Sequence, residues 1–210
     1  MADRTLISAQ LVDWGVASRT MPGEQVCGDV HLFKPLPQGL LLAVVDGLGH
    51  GAEAAAAAVI ALGLLDRHAG EPLNVIFRHC HEALARTRGV VMTAAWLEPA
   101  ENRLTWLGVG NVDAMLLRAG RAPHHIPVAR AVLRSGIVGY QLPRFQASTT
   151  SIAPGDLLAF ATDGIDFGFS EVVVAGGQPQ RLADQVLERY FKGTDDALVL
   201  VAKYLGAGRE

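Results

Sequence analysis

Four aspartates stand at the ends of predicted strands or in the turns beside them: Asp29, Asp46, Asp163 and Asp195. Three of them adjoin strongly apolar segments. A carboxylate at the mouth of a buried strand is costly unless a cation compensates its charge. Several such carboxylates meeting at one sheet edge would repel one another, and a site made only of oxygen ligands suits Mg²⁺ or Mn²⁺. The pattern therefore indicates a site for divalent cations.

The alternative interpretation is that these aspartates belong to ordinary turns. Asp46-Gly47 and Asp163-Gly164 are dipeptides that commonly form turns. Two apolar segments that end in Asp-Gly, together with a third acidic pair before the last apolar segment, weaken that interpretation. From the residue types and spacing alone, both interpretations stay open.

The elements that must position these aspartates follow from the periodicity of apolar residues. Strands come first, then two helices, then further strands, a short helix and a last strand. This order is typical of an α+β fold in which two sheets carry helices on the outside, and not of alternating βαβ units. The predicted helices are the alanine-rich segment that ends near Arg67, a segment that starts at Pro72, and Arg181 to Phe191; the predicted strands are Leu6 to Trp14, Val26 to Phe33, Leu40 to Asp46, Val90 to Leu97, Arg103 to Gly108, Asp113 to Arg118, Phe145 to Ile152, Asp156 to Thr162 and Ala197 to Tyr204.

Composition limits the class of protein. With 210 residues and half of them hydrophobic, the sequence suits one globular domain spanning 1–210. A net charge of −3 excludes a globally basic nucleic-acid binder. We find no signal segment and no apolar run of about 20 residues, so neither secretion nor a membrane span is expected. Two widely spaced cysteines, Cys27 and Cys80, fit a reducing cytoplasm.

Seven short motifs, which follow one another along the chain in the order of the family, resemble those of the SpoIIE-type branch of the metal-dependent 2C protein phosphatases. Each motif alone is weak, but their order over nearly the whole chain is specific. The motifs are Gly28-Asp29, Val45-Asp-Gly-Leu-Gly-His-Gly51, Met92-Thr-Ala-Ala95, Gly108-Val-Gly-Asn111, Ser135-Gly-Ile-Val-Gly139, Ala161-Thr-Asp-Gly164 and Asp195-Asp-Ala-Leu-Val-Leu-Val201.

The resemblance implies an αββα sandwich of two antiparallel sheets and a centre of two divalent cations, Mn²⁺ or Mg²⁺. By position, Asp46 matches the acid that bridges both ions, and the carbonyl of Gly47 matches a backbone ligand. Asp163 and Asp195 match ligands of the other ion, and Asp29 matches the first acidic motif near the metals. Two ions about 3.5–4 Å apart would activate a water for in-line displacement. Supporting roles outside the ligand set fall to His50 and Asp196.

The resemblance also implies the substrate. Relatives of this size remove phosphate from serine or threonine of stressosome scaffold proteins that carry STAS domains, in bacterial stress signalling. We therefore expect a phosphoprotein partner, and neither nucleic acid nor membrane. Larger relatives bind phosphate with an arginine near the N-terminus. In this sequence, Arg19 is the residue nearest to the position of that arginine.

An acid-free, arginine-containing segment offers a docking surface for such a partner. Between Ala114 and Gly155 the sequence contains five of the 18 basic residues and none of the 21 acidic ones. Arginine suits planar, bidentate contact with phosphate. Arg130 and Arg134, just before the glycine-rich motif at Ser135, are the candidates. A solvated loop that merely balances the acidic site explains the same charges.

Two rival functions remain open at this stage. Gly47-x-Gly49-x-x-Ala52 with Asp66 downstream matches the dinucleotide-binding fingerprint, but a second helix at Pro72 leaves no βαβ unit. A non-catalytic binding protein of the same fold is the other, although all four ligand positions keep a carboxylate.

The histidines look less suited to a metal site. His79 and His81 lie two positions apart on a predicted helix, so they point in different directions and cannot share an ion.

Overall fold

A computed structural model describes residues 11–119, 128–174 and 177–206. In these residues the strands form two sheets. One sheet has five strands: β1 (Val12–Arg19), β6 (Asp113–Leu117), β7 (Val128–Arg130), β10 (Leu157–Ala161) and β11 (Ala197–Tyr204). Their order across the sheet is β1-β11-β10-β6-β7, and every neighbouring pair is antiparallel. We call this the first sheet.

The second sheet has six strands: β2 (Asp29–Leu36), β3 (Gly39–Gly47), β4 (Val90–Glu98), β5 (Arg103–Val109), β8 (Leu133–Arg134) and β9 (Ser148–Ser151). The path is β2-β3-β4-β5-β8, and β9 also pairs with β5. Only β8 runs parallel to its neighbour among the described strands. A short 3₁₀ helix, Pro99–Glu101, connects β4 to β5.

The helices cover the outer faces of the sheets. Helices α1 (Ala52–Arg67) and α2 (Leu73–Leu84) pack on the second sheet, and α3 (Ser170–Val174) and α4 (Pro179–Tyr190) pack on the first. The buried side of α1 is formed largely by alanine, for example Ala54 and Ala58, which are fully buried. Small side chains let the axis of α1 approach β3 closely, so this helix fixes the loop that leads into it.

Apolar side chains fill the space between the sheets. Leu42 and Val44 of the second sheet and Phe160 and Leu200 of the first lie in one buried cluster. A second buried cluster lies between the second sheet and its helices, and a third lies between the first sheet and its helices. The predicted α+β fold with an αββα arrangement is thus confirmed, with the single parallel pair β5–β8 as a detail that the sequence did not predict.

The chain order around β3 removes the dinucleotide-binding alternative. After β3 the chain passes through α1 and α2 and returns as β4, which pairs antiparallel with β3. A dinucleotide-binding unit requires a parallel strand after one crossover helix. That interpretation of Gly47 to Ala52 was therefore wrong.

The predicted strand Phe145 to Ile152 is the shorter β9 (Ser148–Ser151), and two other predicted strands are shifted in the structure. The first continues to Arg19 instead of ending at Trp14, and the part before residue 11 lies outside the described residues. The second begins at Asp29, three residues later than predicted, and extends to Leu36 through Pro35. Proline is tolerated there because β2 is an edge strand, which leaves one side without ladder hydrogen bonds.

Among the described helices, none combines the length and the apolar character that a membrane crossing requires.

Candidate metal centre

Each sheet brings aspartates to the same end of the sandwich. In the second sheet, Asp29 opens β2 and Asp46 lies near the end of β3, and the antiparallel register places the two directly opposite each other. In the first sheet, Asp163 follows β10 and Asp195 precedes β11, which is its antiparallel neighbour. Antiparallel pairing therefore puts the end of one strand beside the start of the next, so all four aspartates converge.

Thr162 links the two sheets at this end. Its hydroxyl donates a hydrogen bond to Asp29 Oδ2 at 2.7 Å and accepts one from the amide of Leu198 at 2.8 Å. The threonine belongs to the first sheet's end of the sandwich and the aspartate to the second. This buried contact orients the carboxylate of Asp29 toward the other acids.

Both Asp-Gly dipeptides need glycine because the backbone is crowded. A Cβ at Gly47 would lie 2.1 Å from the carbonyl oxygen of Ala54, and one at Gly164 would lie 2.0 Å from that of Asp196. Neither glycine has a positive φ. A purely conformational role of glycine in a turn therefore does not explain them; close packing of α1 and of the Asp195-Asp196 segment does.

Burial and mutual repulsion dominate the electrostatics of the cluster. Burial, followed by the negative charges of Asp29 and Asp163, raises the pKa of Asp46 to about 9. Burial raises the pKa of Asp29 to about 7, although the hydrogen bond from Thr162 opposes the rise. Burial is also the main cause of the raised pKa of Asp195. Without cations, these carboxyl groups resist ionisation together.

The cluster has the donors and the charge that divalent cations require. None of the salt bridges within the described residues involves Asp29, Asp46, Asp163, Asp195 or Asp196. Within the same residues, the carboxylate of Asp46 has no hydrogen bond. Unpaired, partly buried carboxylates that offer only oxygen atoms fit Mg²⁺ or Mn²⁺.

Asp196 differs from these carboxylates because both of its oxygens already accept hydrogen bonds from the backbone. The residue is 2% exposed, and its two carboxylate oxygens accept hydrogen bonds of 2.7 Å from the amides of Met21 and Gly28. These bonds hold the β1–β2 loop, and hence the start of β2, against the Asp195 segment. This geometry agrees with the supporting role expected for Asp196.

His50 lies at the rim of the cluster. Its Nδ1 is 2.6 Å from Glu24 Oε1, and about half of its side chain is exposed. It is near enough to Asp195 to counter, in part, the rise that burial causes in the pKa of that carboxyl group. Among the described residues, the polar contact of the imidazole is thus with Glu24 and not with an aspartate of the cluster.

Three supporting residues were not assigned from the sequence: Thr162, Asn111 and Lys192. Asn111 donates a 2.6 Å hydrogen bond to Asp163 Oδ2, and Lys192 Nζ donates a 2.7 Å bond to the main-chain oxygen of Asp163. Asn111 is the last residue of the motif Gly108-Val-Gly-Asn111, and its place in that motif is the sequence feature that could have identified it. Nothing in the local sequence marks Lys192.

A cleft of about 320 Å³ opens over the cluster. This volume lies at the small end of ligand sites, which suits a phosphoryl group and the side chain that carries it. The lining combines acids, glycines and one amide: Asp46, Leu48, Gly49, Val91, Gly110, Asn111, Ser135, Gly136, Asp163 and Asp195.

Arg19, the nearest match for a phosphate-gripping arginine, is exposed at the end of β1. Its guanidinium carbon lies 5.1 Å from the centre of the Phe191 ring. A role for it in phosphate binding stays a prediction.

Residues 37–205 match the family described as Stage II sporulation protein E (SpoIIE). The chain belongs to the SpoIIE family. This match includes Asp46, Asp163 and Asp195, while Asp29 lies just before it. The family predicted from the seven motifs is therefore confirmed.

Known relatives of this SpoIIE-family chain agree with the fold. It is 24% identical over 180 residues to the phosphoserine phosphatase RsbX of Bacillus subtilis (strain 168), covering 85% of this chain and 87% of RsbX. A structure of RsbX in complex with magnesium superposes with a TM-score of 0.81, at 22% identity over 93% of this chain and 96% of that chain.

A second solved structure comes from work on the bacterial stressosome and its control of secondary messenger signalling. It is 31% identical to this chain and superposes with a TM-score of 0.83. The match covers 91% of this chain and 99% of that chain. These relatives agree with the predicted class of enzyme, a metal-dependent protein serine/threonine phosphatase.

Proposed function

We propose that this SpoIIE-family chain hydrolyses phosphoserine and phosphothreonine in proteins, with two divalent cations, Mg²⁺ or Mn²⁺, held by its aspartate cluster. The observation that carries the proposal is the convergence of Asp29, Asp46, Asp163 and Asp195 at one end of the sandwich, where no basic side chain of the described residues forms a salt bridge with them. The raised pKa values of Asp29, Asp46 and Asp195 and the magnesium complex of the relative RsbX support it.

The proposed ligands come from both sheets. Asp46 lies opposite Asp29 in the register of β2 and β3, and by the family resemblance it would be the ligand that both ions share, with the carbonyl of Gly47 as a backbone ligand. Asp163 and Asp195 would hold the ion nearer the first sheet, and Asp29 would act directly or through water. When bound, the cations supply Lewis acidity that activates a water and neutralises charge on the phosphoryl group.

The chain's own residues would keep these ligands in place. Asn111 fixes one carboxylate oxygen of Asp163, and Lys192 fixes its main-chain oxygen. Thr162 fixes Asp29, and Asp196 ties the start of β2 to the Asp195 segment. Ligands restrained in this way lose little conformational freedom on binding, so the centre is organised before substrate arrives.

We further propose that the substrate is a phosphorylated scaffold protein of the stressosome with a STAS domain, and that the protein acts in the cytoplasm. Support comes from the likeness to RsbX and to the structure described with the stressosome. Free thiols at Cys27 and Cys80 agree with a reducing compartment.

Phosphorylated STAS proteins from the same genome are expected to lose phosphate when the protein and Mn²⁺ are added. The measurement is phosphate release, with the Asp163→Asn variant as the inactive control and an unrelated phosphoprotein for comparison. If the STAS proteins stay phosphorylated while the unrelated one is cleared, the stressosome proposal is wrong and the phosphatase proposal stands. If neither loses phosphate, the protein is a non-catalytic member of the fold.

The part of the arginine-containing segment around Arg134 lies at the edge of the cleft. The carbonyl of Arg134 accepts a hydrogen bond from Gly110, which lines the cleft, and the next residue, Ser135, lines it too. Arg130 is exposed and forms a salt bridge with Asp113. Within the described residues, Arg134 has no ion pair, so its charge is the more available for a substrate.

Of the other three arginines of this segment, Arg144 is exposed but lies ten residues beyond Arg134 in the chain and does not line the cleft, and the other two differ in role or position. Arg118 donates to the buried carboxylate of Asp156 and to the carbonyl of Ser151, so it is structural. Arg121 lies outside the described residues. We therefore propose Arg134, assisted by Arg130, as the docking contact for the anionic surface of a phosphoprotein.

Changing Arg130 and Arg134 together to Glu should lower kcat/KM on a phosphoprotein by about 10- to 100-fold, the effect of roughly 1.4–2.8 kcal/mol of lost binding. Hydrolysis of p-nitrophenyl phosphate should stay nearly unchanged, because that substrate is too small to reach the docking surface. The measurement is kcat/KM on both substrates.

A charge-matched control comes from the helical layers. The double variant with Arg78→Glu in α2 and Arg181→Glu in α4 changes net charge equally at exposed sites away from the cleft. It should leave both activities intact. Equal losses on both substrates in the Arg130/Arg134 variant would place these arginines in the catalytic centre or in the support of the fold, and no loss on either would leave them as solvated charges.

A further inference from the structure

A second cluster of metal-ligating side chains lies at the far end of α1. It consists of His68, Glu71 and His79, whose potential ligand atoms all lie within 4.8 Å of one another. Helix α1 begins beside Gly47 and is 16 residues long, so this end lies roughly 24 Å from the aspartates. The cluster is therefore separate from the candidate catalytic centre.

The three side chains come from different elements that converge on one point. His68 caps the C-terminal end of α1, Glu71 ends the tight turn that follows, and His79 lies on α2. The turn is closed by a hydrogen bond of 3.0 Å from the amide of Glu71 to the carbonyl of His68, with Gly70 at a φ of +106°. The turn thus fixes the backbone of His68 relative to that of Glu71 before any ion binds.

The carboxylate of Glu71 faces both imidazoles. His68 Nδ1 lies 2.9 Å from Oε1, and His79 Nε2 lies 3.5 Å from Oε2. The two rings are stacked, with centroids 4.4 Å apart and an angle of 25° between planes. In a tetrahedral zinc site with bonds of about 2.0–2.1 Å, neighbouring ligand atoms are about 3.3 Å apart. The ligand atoms of the three residues lie within 4.8 Å of one another, so binding would draw them together by at most about 1.5 Å, and the two imidazole rings would have to turn out of their stack so that both nitrogens face the ion.

We propose that His68, Glu71 and His79 form a binding site for Zn²⁺ that joins the end of α1 to α2. Two imidazoles and one carboxylate favour zinc over the hard ions Mg²⁺ and Mn²⁺, which the oxygen-only aspartate cluster suits. Three protein ligands leave a fourth position for water. The site fastens the helical layer over the second sheet, and it does not depend on the proposed catalytic activity.

The ligand set explains why the pattern was missed in the sequence. The spacing along α2 sets His79 beside His81, which points elsewhere: the Nδ1 of His81 accepts a hydrogen bond from the amide of Gly139. The true neighbour of His79 is His68, which the turn between the helices brings alongside it.

The test is a zinc titration of the metal-free chain in excess Mg²⁺, which keeps the aspartate cluster occupied. Calorimetry gives affinity and stoichiometry, and NMR of the imidazole nitrogens shows which histidines respond. We expect one Zn²⁺ to bind and to shift the nitrogens of His68 and His79. His79→Gln should weaken this binding by at least about 100-fold, since loss of an outer partner alone costs about 10–100-fold.

Arg78→Gln is the matched control, because this exposed neighbour on α2 carries no proposed ligand. It should bind Zn²⁺ as the native chain does. Glu71→Gln, on the exposed turn, decides the matter if His79→Gln fails to fold. Unchanged zinc affinity in the folded ligand variants, or no zinc-induced shift at either histidine in the native chain, would overturn the proposal.

Discussion

Asp46→Asn is expected to lower turnover on p-nitrophenyl phosphate by roughly 1,000-fold or more, because losing the proposed bridging ligand would remove several kcal/mol of transition-state stabilisation. Asp46 lies opposite Asp29 across β2 and β3 and faces the acids of the first sheet. The measurement is kcat with saturating Mn²⁺.

The same change should make the cation-free protein more stable. The pKa of Asp46 is raised to about 9 from 3.8, so the unfolded chain releases this proton near pH 4 while the folded chain keeps it. The stability that results is complete below about pH 4 and is lost as pH rises through about 9. Asparagine does not titrate, so the variant's free energy of unfolding should fall less over that range.

Two further variants show whether the loss of activity comes from the loss of a metal ligand. Asp163→Asn should lose activity to a similar degree, and near-native turnover in it would show that the ligand assignment is wrong. Asp66→Asn, at an exposed site paired with Lys34, is the matched control and should keep full activity. A variant of Asp46 that is both inactive and unstable without cations would indicate a structural role instead.

Removal of divalent cations by a chelator is expected to abolish hydrolysis of p-nitrophenyl phosphate. The reason is that uncatalysed hydrolysis of phosphate monoesters is among the slowest reactions known, and the aspartates alone provide no compensation for the charge of the phosphoryl group. The measurement is the rate before and after chelation.

Adding back Mn²⁺ or Mg²⁺ should restore the rate, which separates loss of the cofactor from damage to the protein. The Arg78→Gln variant serves as a folded reference in the same series. Full activity in excess chelator would contradict the two-cation mechanism and leave the aspartate cluster without its proposed role.

The sequence predicted the elements that carry strong local signals. The last strand, Ala197–Tyr204, has the predicted bounds, and the apolar segment before Asp46 is β3 as expected. These segments are buried on both faces, so their apolar runs are unbroken. Edge strands such as β2 carry weaker patterns, and their bounds were shifted.

The sequence also determined which residue types could form the site, because acids at the ends of apolar strands are unusual and their motifs follow a recognisable order. It did not determine their contacts. These contacts join residues that are distant in the chain. They are the strand register that sets Asp29 opposite Asp46, the hydrogen bond from Thr162 that crosses between the sheets, and the hydrogen bonds that backbone amides donate to Asp196.

Tertiary structure decided which charges are available and which side chains meet. Arg118 and Arg130 look alike in the sequence, yet one is bound to a buried aspartate and the other to Asp113 at the surface. His68 and His79 are eleven residues apart, and only the turn between α1 and α2 stacks their rings. Local periodicity fixes where a side chain points along its own element, whereas sheet register and helix packing fix what it faces, and chemistry depends on the latter.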